Sequence, residues 1–305
     1  MKILLFGANG QVGWELQRSL SSLGELIALD RHGINHSIAD GTSLCGDLAN
    51  LAGITATVER MRPDVIVNAA AYTAVDKAES DAENAHLINA LAPHALAKAA
   101  TSVGAWLIHY STDYVFDGSG SKPWVETDLT GPLSVYGRTK LEGEQRIVSA
   151  CAKHLTFRTS WVYAARGGNF AKTMLRLGQE REILSVINDQ YGAPTGADLL
   201  ADVTAHAIQH VQQQPARAGL YHLVASGETT WHGYAKHVLA QAKHKHKASK
   251  IIAKDIAAVP TSAYPTPAQR PLNSRLNTAK LQSTFGLTLP PWQQGVDRML
   301  LEVLA

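Results

Sequence analysis

Residues 3–13 read Ile-Leu-Leu-Phe-Gly-Ala-Asn-Gly-Gln-Val-Gly, a short apolar run followed by three glycines at the spacing GxxGxxG. The apolar run predicts a buried strand, and the apolar periodicity of residues 12–23 predicts a helix directly after it. In such a turn Gly7 permits the tight bend and Gly10 lets the backbone approach a pyrophosphate, while Gly13 lets the helix pack close to the strand. The helix N-terminus adds N–H donors and a positive dipole end. The stretch therefore predicts a dinucleotide-binding turn.

The alternation of apolar runs with amphipathic stretches continues through the first 110 residues. Strands are predicted at residues 26–29, 65–67 and 106–109, and helices at 51–61 and 82–103. Strands that are apolar on both faces and separated by helices are typical of parallel βαβ units. Right-handed crossovers then place helices on both faces of the sheet. We expect an α/β fold with a Rossmann-like doubly wound parallel sheet.

The pattern is less regular after residue 110. A loop rich in glycine and proline is predicted at 117–132, a helix at 134–151 and a further strand at 155–158. From about residue 167, helices alternate with irregular segments. We predict an NAD(P)-binding Rossmann domain over residues 1–165. A smaller α/β portion that binds the substrate would follow over residues 166–305, with a soft boundary because such folds often pass strands between the two parts.

Composition limits the classes of function. The 305 residues are 45% hydrophobic and 18% charged with a formal net charge of +2, which gives no electrostatic reason to expect a nucleic acid or an anionic membrane as a partner. Two cysteines cannot form a disulfide framework. The apolar run at the N-terminus is too short for a signal peptide, and no stretch is long enough to span a bilayer. We expect a soluble cytoplasmic protein.

Residues beyond the glycine turn indicate how a dinucleotide would be held. Asp30 ends the second strand, where a carboxylate accepts from ribose hydroxyls and favours NAD(H). Arg31 could instead face the 2′-phosphate of NADP(H), or be a solvated surface charge, so the choice between NADH and NADPH stays open. Asp47 is either an adenine contact or a helix cap. Small residues at 68–71 let the backbone lie against the cofactor, or let a helix pack tightly.

A tyrosine and a lysine four residues apart, Tyr136 and Lys140, lie on the helix predicted from Ser134. Residues at i and i+4 share a helix face, so phenol and ammonium can point into one site. An ammonium nearby lowers the pKa of a phenol from about 10 toward the working range. Thr112 follows a buried strand, at the carboxyl end where a substrate should lie, and its hydroxyl can bond a reacting carbonyl. Together these residues predict a carbonyl reductase.

Several motifs resemble one known family. They are residues 4–7 and 11–13, 68–76 (Asn-Ala-Ala-Ala-Tyr-Thr-Ala-Val-Asp), 109–116 (His-Tyr-Ser-Thr-Asp-Tyr-Val-Phe), 136–140 (Tyr-Gly-Arg-Thr-Lys), 158–163 (Arg-Thr-Ser-Trp-Val-Tyr) and 270–274 (Arg-Pro-Leu-Asn-Ser). With them the chain resembles the extended short-chain dehydrogenases/reductases, and more closely the dTDP-4-dehydrorhamnose reductase family. The resemblance covers essentially the whole chain.

The resemblance implies roles for individual residues. Tyr136 would be the proton donor, Lys140 its activator and Thr112 the hydroxyl that positions the carbonyl. Residues implied around the cofactor, with the glycine turn included, are Gly7, Gly10, Gln11, Val12, Gly13, Asp30, Asp47, Leu48, Ala71, Tyr72, Thr73, Tyr110, Tyr136 and Lys140. Residues implied to touch a sugar nucleotide are Thr112, Asp113, Trp161 and Arg270. A core position for Trp161 is an equal alternative, and an arginine at 270 suits a diphosphate.

The residue after Asp113 separates reduction from dehydration. Sugar-nucleotide dehydratases of this superfamily carry Asp-Glu after the catalytic threonine, whereas here Tyr114 follows Asp113. The second acid of the elimination pair is missing. The resemblance therefore implies NAD(P)H-dependent reduction of the C4 carbonyl of dTDP-4-dehydro-β-L-rhamnose to dTDP-L-rhamnose, a precursor of cell-surface polysaccharide. The alternatives are an epimerase or dehydratase of the same fold, or a regulatory subunit with little activity.

The resemblance also implies a homodimer and a divalent ion, Mg²⁺, at its interface. The matching acidic positions are Glu15, Asp198 and Glu302, where three solvated carboxylates are a strong alternative. Asp198 is shorter than a glutamate, which would alter an octahedral site. Residues 244–247 read His-Lys-His-Lys, which we interpret as a solvated polar stretch rather than a metal or nucleic-acid site.

Overall fold

A seven-stranded sheet forms the centre of the computed structural model, which describes residues 1–34, 44–245 and 250–305. In chain order its strands are β1 (Lys2–Phe6), β2 (Glu25–Asp30), β3 (Gly33–Ile34), β4 (Val65–Asn68), β5 (Trp106–Thr112), β6 (His154–Thr159) and, later in the chain, a strand at Gly219–His222. All neighbours pair in parallel except β3, which is antiparallel to β2. The order runs from the Gly219–His222 strand through β6, β5, β4, β1 and β2 to β3, so the predicted doubly wound sheet is confirmed.

Helices of the first half connect these strands. They are α1 (Gln11–Leu20), α2 (Leu51–Met61), α3 (Val75–Ala78), α4 (Ala82–His86), α5 (Ala92–Val103) and α6 (Val135–Ala150). The long helix predicted over residues 82–103 is interrupted by a π-helical turn at Leu87–Leu91. One additional residue per turn at that point changes the direction in which the following side chains project, and π-turns are frequent at functional sites.

Alternate residues of the central strand β1 enter two different cores. Ile3 and Leu5 pack with Leu16 and Leu20 of α1, whereas Leu4 and Phe6 pack on the opposite face of the sheet. That opposite core contains side chains from α2 and α5. A strand buried on both faces has no polar alternation, which is why its sequence is a continuous apolar run.

The second half of the chain adds smaller sheets and five helices among the described residues. The elements are β7 (Val162–Tyr163), α7 (Phe170–Glu180), β8 (Ile183–Ile187), β9 (Tyr191–Gly192), β10 (Thr195–Gly196), α8 (Ala197–Gln213), β11 (Gly219–His222), β12 (Thr229–Thr230), α9 (Trp231–Lys245), β13 (Asp255–Val259), α10 (Ala279–Phe285) and α11 (Trp292–Leu304). Strand β11 joins the edge of the main sheet beside β6, and α8 packs against α1. The boundary at residue 165 stays a prediction, and the later half contributes both a strand and a helix to the Rossmann core.

The described part of the chain contains no helix long and apolar enough to cross a membrane. Cys45 and Cys151 are both free thiols. Of the 244–247 stretch, His246 and Lys247 lie outside the described residues.

Candidate active site

The glycine turn forms one wall of a cavity of about 640 Å³ at the carboxyl ends of the parallel strands. Gly7 has φ +85°, and a side chain there would lie 2.7 Å from the backbone nitrogen of Ala70. A side chain at Gly13 would clash with the carbonyl oxygen of Gly7. The turn is therefore a cradle that only glycine can form, and its backbone is open to a phosphate group at the start of α1.

The cavity brings together nearly all of the residues predicted to bind the cofactor. Gly13 is the exception, because it is buried behind Gly7 and packs α1 against the turn. Residues of the predicted set that line the cavity are Gly7, Gly10, Gln11, Val12, Asp30, Asp47, Leu48, Ala71, Tyr72, Thr73, Tyr110, Tyr136 and Lys140. The glycine cradle, the volume of the cavity and its lining residues fit a dinucleotide that lies across the strand ends where the strand order reverses.

At one end of the cavity, Asp30 is held by its neighbours. Its carboxylate accepts from Asn9 Nδ2 at 2.7 Å and from the backbone N–H of His32 at 2.7 Å. Arg31 Nε lies 3.7 Å from Asp47 Oδ1 and its side chain is 74% exposed. The carboxylate of Asp30 and the exposed guanidinium of Arg31 are therefore both available there, the first for a ribose and the second for a ribose phosphate.

Tyr136 lies at the other end, on the first turn of α6. Ser134 begins this helix by accepting from the Gly137 N–H at 3.1 Å, and a side chain at Gly137 would clash with the carbonyl oxygen of Tyr114. The close approach that Gly137 allows brings the phenol of Tyr136 near Thr112, whose hydroxyl lowers the pKa of that phenol. The ring also packs edge-on against that of Tyr114, with centroids 5.5 Å apart.

Burial raises the pKa of Tyr136 to about 12, and the hydrogen bond with Thr112 opposes this effect. The sequence had predicted the reverse, a pKa lowered by Lys140. The structure differs because Nζ of Lys140 is directed to the carbonyl oxygen of Tyr110 at 2.6 Å and to Nε2 of His109 at 3.1 Å. A phenol in this state is protonated at neutral pH, as a proton donor must be.

Lys140 itself is 2% exposed. Burial lowers its pKa to about 8, and the negative charge of Glu144 opposes the change. His109 also contacts Asn68 through its second ring nitrogen, since Nδ1 lies 3.2 Å from the side-chain amide of Asn68. Burial, with the charge of Lys140 adding to it, lowers the pKa of His109 well below its ordinary value, so the imidazole is neutral.

Three residues near the cavity were missed by the sequence reading. His109 is a polar residue directly after the apolar residues 106–108 of β5, and that position was the signal available for it. Asn89 lies in the π-turn, accepts from the Tyr72 N–H at 2.9 Å, and donates to the Tyr72 carbonyl and to Thr139. It thereby joins the cavity wall to α6. Thr159 ends β6 and lines the cavity.

The residues predicted to bind the substrate do not line this cavity. Thr112 and Asp113 are buried directly beside it, and burial raises the pKa of Asp113 to about 6. Trp161, with φ +49°, stacks on Trp231 at a centroid distance of 3.7 Å. Arg270 forms a two-point ion pair with Asp76, with distances of 2.6 and 3.1 Å.

The three acidic residues predicted to bind Mg²⁺ meet at one small cavity of about 20 Å³, which Arg298 also lines. The guanidinium of Arg298 lies 2.8 Å from Asp198 and 3.4 Å from Glu302. Burial and the charge of Asp198 raise the pKa of Glu15. Across residues 1–34, 44–245 and 250–305, no group of three or more His, Cys, Asp or Glu is arranged to hold a metal ion. A single chain with Arg298 in this position does not fit Mg²⁺.

Comparisons with known proteins agree with this geometry. Residues 1–305 match the RmlD substrate binding domain family. The chain is 62% identical to dTDP-4-dehydrorhamnose reductase of Shigella flexneri, over 99% of this chain and 98% of the relative. A crystal structure of a dTDP-4-dehydrorhamnose reductase from Clostridium acetobutylicum is similar with a TM-score of 0.85, 35% identity and 98% of each chain covered. The Bacillus anthracis reductase in complex with NADP has a TM-score of 0.85, 31% identity and 99% of each chain covered.

Proposed function

The chain belongs to the RmlD substrate binding domain family, and from that membership we propose that it uses NADH or NADPH to reduce the C4 carbonyl of dTDP-4-dehydro-β-L-rhamnose to dTDP-L-rhamnose. The observation that carries the proposal is the meeting of Tyr136, Thr112 and Lys140 at one end of a cavity whose other parts fit a dinucleotide. Family relatives of high identity carry the name of this reductase.

The bound nicotinamide supplies the hydride for this reaction. The Thr112 hydroxyl positions the carbonyl, and Tyr136 donates its phenolic proton to the carbonyl oxygen as the alcohol forms. The raised pKa of Tyr136 keeps the proton on the phenol until the carbonyl oxygen of the substrate becomes basic. Lys140, in its ammonium form, holds the cofactor ribose and stabilises the tyrosinate that remains.

Sugar-nucleotide binding is proposed for Thr112, Asp113, Trp161 and Arg270. The Thr112 hydroxyl donates to Asp113 Oδ1 at 3.2 Å, and it must turn away from Asp113 to donate to a substrate carbonyl. Trp161 offers an aromatic face that is already stacked on Trp231. Arg270 carries a guanidinium that can exchange the carboxylate of Asp76 for diphosphate oxygens, which it can bind in the same bidentate way.

Assembly as a homodimer and a cytoplasmic location are part of the same proposal. Support for a dimer comes from the incomplete acidic cluster, because carboxylates from a second copy would supply the oxygen ligands that one chain lacks. Sedimentation with Mg²⁺ and with EDTA tests this. A monomer under both conditions would remove the dimer and the metal from the proposal.

The reaction is tested by mixing the protein with NADH or NADPH and enzymatically generated dTDP-4-dehydrorhamnose, and by following absorbance at 340 nm. Oxidation of the cofactor matched by formation of dTDP-rhamnose is the expected result. With verified substrate and folded protein, an unchanged trace would refute the reductase. Bound cofactor that is recycled without net consumption would indicate an epimerase instead.

A further inference from the structure

His109 lies inside the sheet and contacts Lys140 without lining the cofactor cavity. It is 1% exposed, and the residues of its strand, β5, that line the cavity are Tyr110 and Ser111. Nε2 of His109 lies 3.1 Å from Nζ of Lys140. Any effect of this imidazole on a ligand in the cavity must therefore pass through Lys140.

The ammonium of Lys140 is buried and has three N–H groups on a flexible stem. A buried charge requires hydrogen-bond partners. The carbonyl oxygen of Tyr110 accepts one N–H at 2.6 Å, and His109 is the second partner. Two partners held by the same strand fix the orientation of the group, and the third N–H is left for the cavity that Lys140 lines.

A neutral imidazole carries one proton, and the nitrogen that holds it decides which form of Lys140 can pair with the ring. With the proton on Nε2, the ring donates to a neutral amine, and Nδ1 accepts from Nδ2 of Asn68 at 3.2 Å. With the proton on Nδ1, Nε2 accepts from the ammonium. The amide oxygen of Asn68, which now accepts from the Ala70 N–H at 3.2 Å, must then turn toward Nδ1.

We propose that His109 is a positioning residue for the reduction. With its proton on Nδ1 it accepts from the Lys140 ammonium and, together with the Tyr110 carbonyl, directs the remaining N–H into the cofactor cavity. The inference rests on the proposed function, because it requires Lys140 to act as an ammonium on a bound cofactor. When Lys140 loses its proton the pairing reverses, so the tautomer of His109 follows the charge of Lys140.

Two other titratable groups of α6 lie near this contact. The charge of Glu144 stabilises the Lys140 ammonium, and Glu144 is itself paired with Arg158 at 2.6 Å. Burial raises the pKa of Tyr136 to about 12, so the phenol stays protonated while Lys140, with a pKa of about 8, titrates. Tyr136 therefore does not produce a change of His109 in that pH range.

Two amide substitutions separate the nitrogens of the ring. Counted along the side chain, the amide of asparagine ends at the place of Nδ1 and that of glutamine at the place of Nε2. His109→Asn thus keeps a polar group beside Asn68 but does not reach Lys140, whereas His109→Gln presents its oxygen to the ammonium. The measurement is the pH dependence of kcat/KM for the cofactor, on variants whose folding is checked by circular dichroism.

We expect His109→Asn to move the alkaline limb of this profile down by about 1 pH unit, because the ammonium loses one hydrogen bond. His109→Gln should keep the limb close to that of the wild type. A merely structural contribution of the ring would destabilise both variants without separating their limbs.

The wild-type protein allows a second measurement that needs no substitution. The ¹⁵N NMR signals of the His109 ring, assigned by their absence in His109→Gln, distinguish the two tautomers. We expect the proton on Nδ1 at pH values below the limb and on Nε2 above it.

An unshifted limb in His109→Asn would overturn the proposal, and so would equal shifts in the two variants. If His109→Asn does not fold, the tautomer decides. A proton on Nε2 below the limb, or a ring that keeps one tautomer across it, would refute the positioning role. A wild type that reduces no substrate would refute the proposed function instead, while the NMR measurement still tests the contact between His109 and Lys140.

Discussion

Nζ of Lys140 lies 3.1 Å from Nε2 of His109, and both side chains are at most 2% exposed. The imidazole is neutral, and in the tautomer that carries its proton on Nδ1 the lone pair of Nε2 accepts from the ammonium. A third N–H of the lysine stays available for the cofactor or for Tyr136, because the carbonyl of Tyr110 takes the second. These contacts position the ammonium of Lys140. The burial of Lys140 limits the pH range in which the ammonium exists.

Activity should fall on the alkaline side as pH rises through about 8. Burial lowers the pKa of Lys140 to about 8, and the proposed role requires the ammonium, which is lost above that pKa. The pH dependence of kcat/KM for the cofactor reports groups of the free enzyme and is the measurement to make. A profile flat up to pH 9.5 would contradict the role of the ammonium.

A substitution of Glu144 tests the role of the Lys140 ammonium in a second way, because it should shift the pH profile. Its negative charge is the effect that raises the pKa of Lys140 against burial. Glu144→Gln should therefore move the alkaline limb to lower pH, measured in the same assay on folded protein. Glu180→Gln, on an exposed pair with Arg176, is the control and should leave the limb in place.

Tyr136→Phe should lower kcat by about 10²- to 10⁴-fold, the usual contribution of a positioned general acid. Cofactor affinity should stay close to wild type, since the substitution removes only the phenol oxygen and keeps the ring that lines the cavity. Tyr114→Phe is the matched control, because Tyr114 packs against Tyr136 and should retain most of the rate. Equal losses in the two variants would argue against Tyr136 as the proton donor.

Arg270→Ala should raise the KM for the sugar nucleotide by about 10- to 100-fold, the loss of a charge-assisted hydrogen bond to a diphosphate. The KM for the cofactor should change little. In Asp76→Asn the guanidinium loses its ion-pair partner but keeps its charge, so the KM should rise much less. A KM for the sugar nucleotide unaffected by Arg270→Ala would remove this arginine from the binding site.

The ion pair between Arg158 and Glu144 joins β6 to α6 in the interior, with side chains 4% and 6% exposed. Glu144→Gln should reduce the free energy of unfolding by about 3–5 kcal/mol, because it leaves a buried guanidinium without a counter-charge. Urea denaturation measures this. Glu180→Gln should change the same quantity by less than about 1 kcal/mol. Replacing both residues together, Arg158→Met with Glu144→Leu, should recover part of the loss, and a larger loss would contradict the argument.

The sequence by itself determined the elements and the local geometry of the site. The apolar run of β1, the glycine turn and the i, i+4 spacing of Tyr136 and Lys140 are local patterns. Backbone conformation and helix periodicity convert such patterns directly into structure. The residues that line the cavity could be predicted for the same reason, since they follow strands whose carboxyl ends must meet at one edge of a parallel sheet.

Only the tertiary structure decided what surrounds those residues. Lys140 and His109 are 31 residues apart, and their contact requires that α6 pack closely against the segment after β5 at Gly137 and against the π-helical turn at Gly143. Burial, which no local pattern shows, raises the pKa of Tyr136 and lowers that of Lys140. The same burial leaves the hydroxyls of Ser111 and Thr159 without a hydrogen-bond partner among the residues that the structure describes. Desolvation and long-range contact depend on how separate elements pack, so the chain order could place these residues but could not give their protonation or their unmet hydrogen bonds.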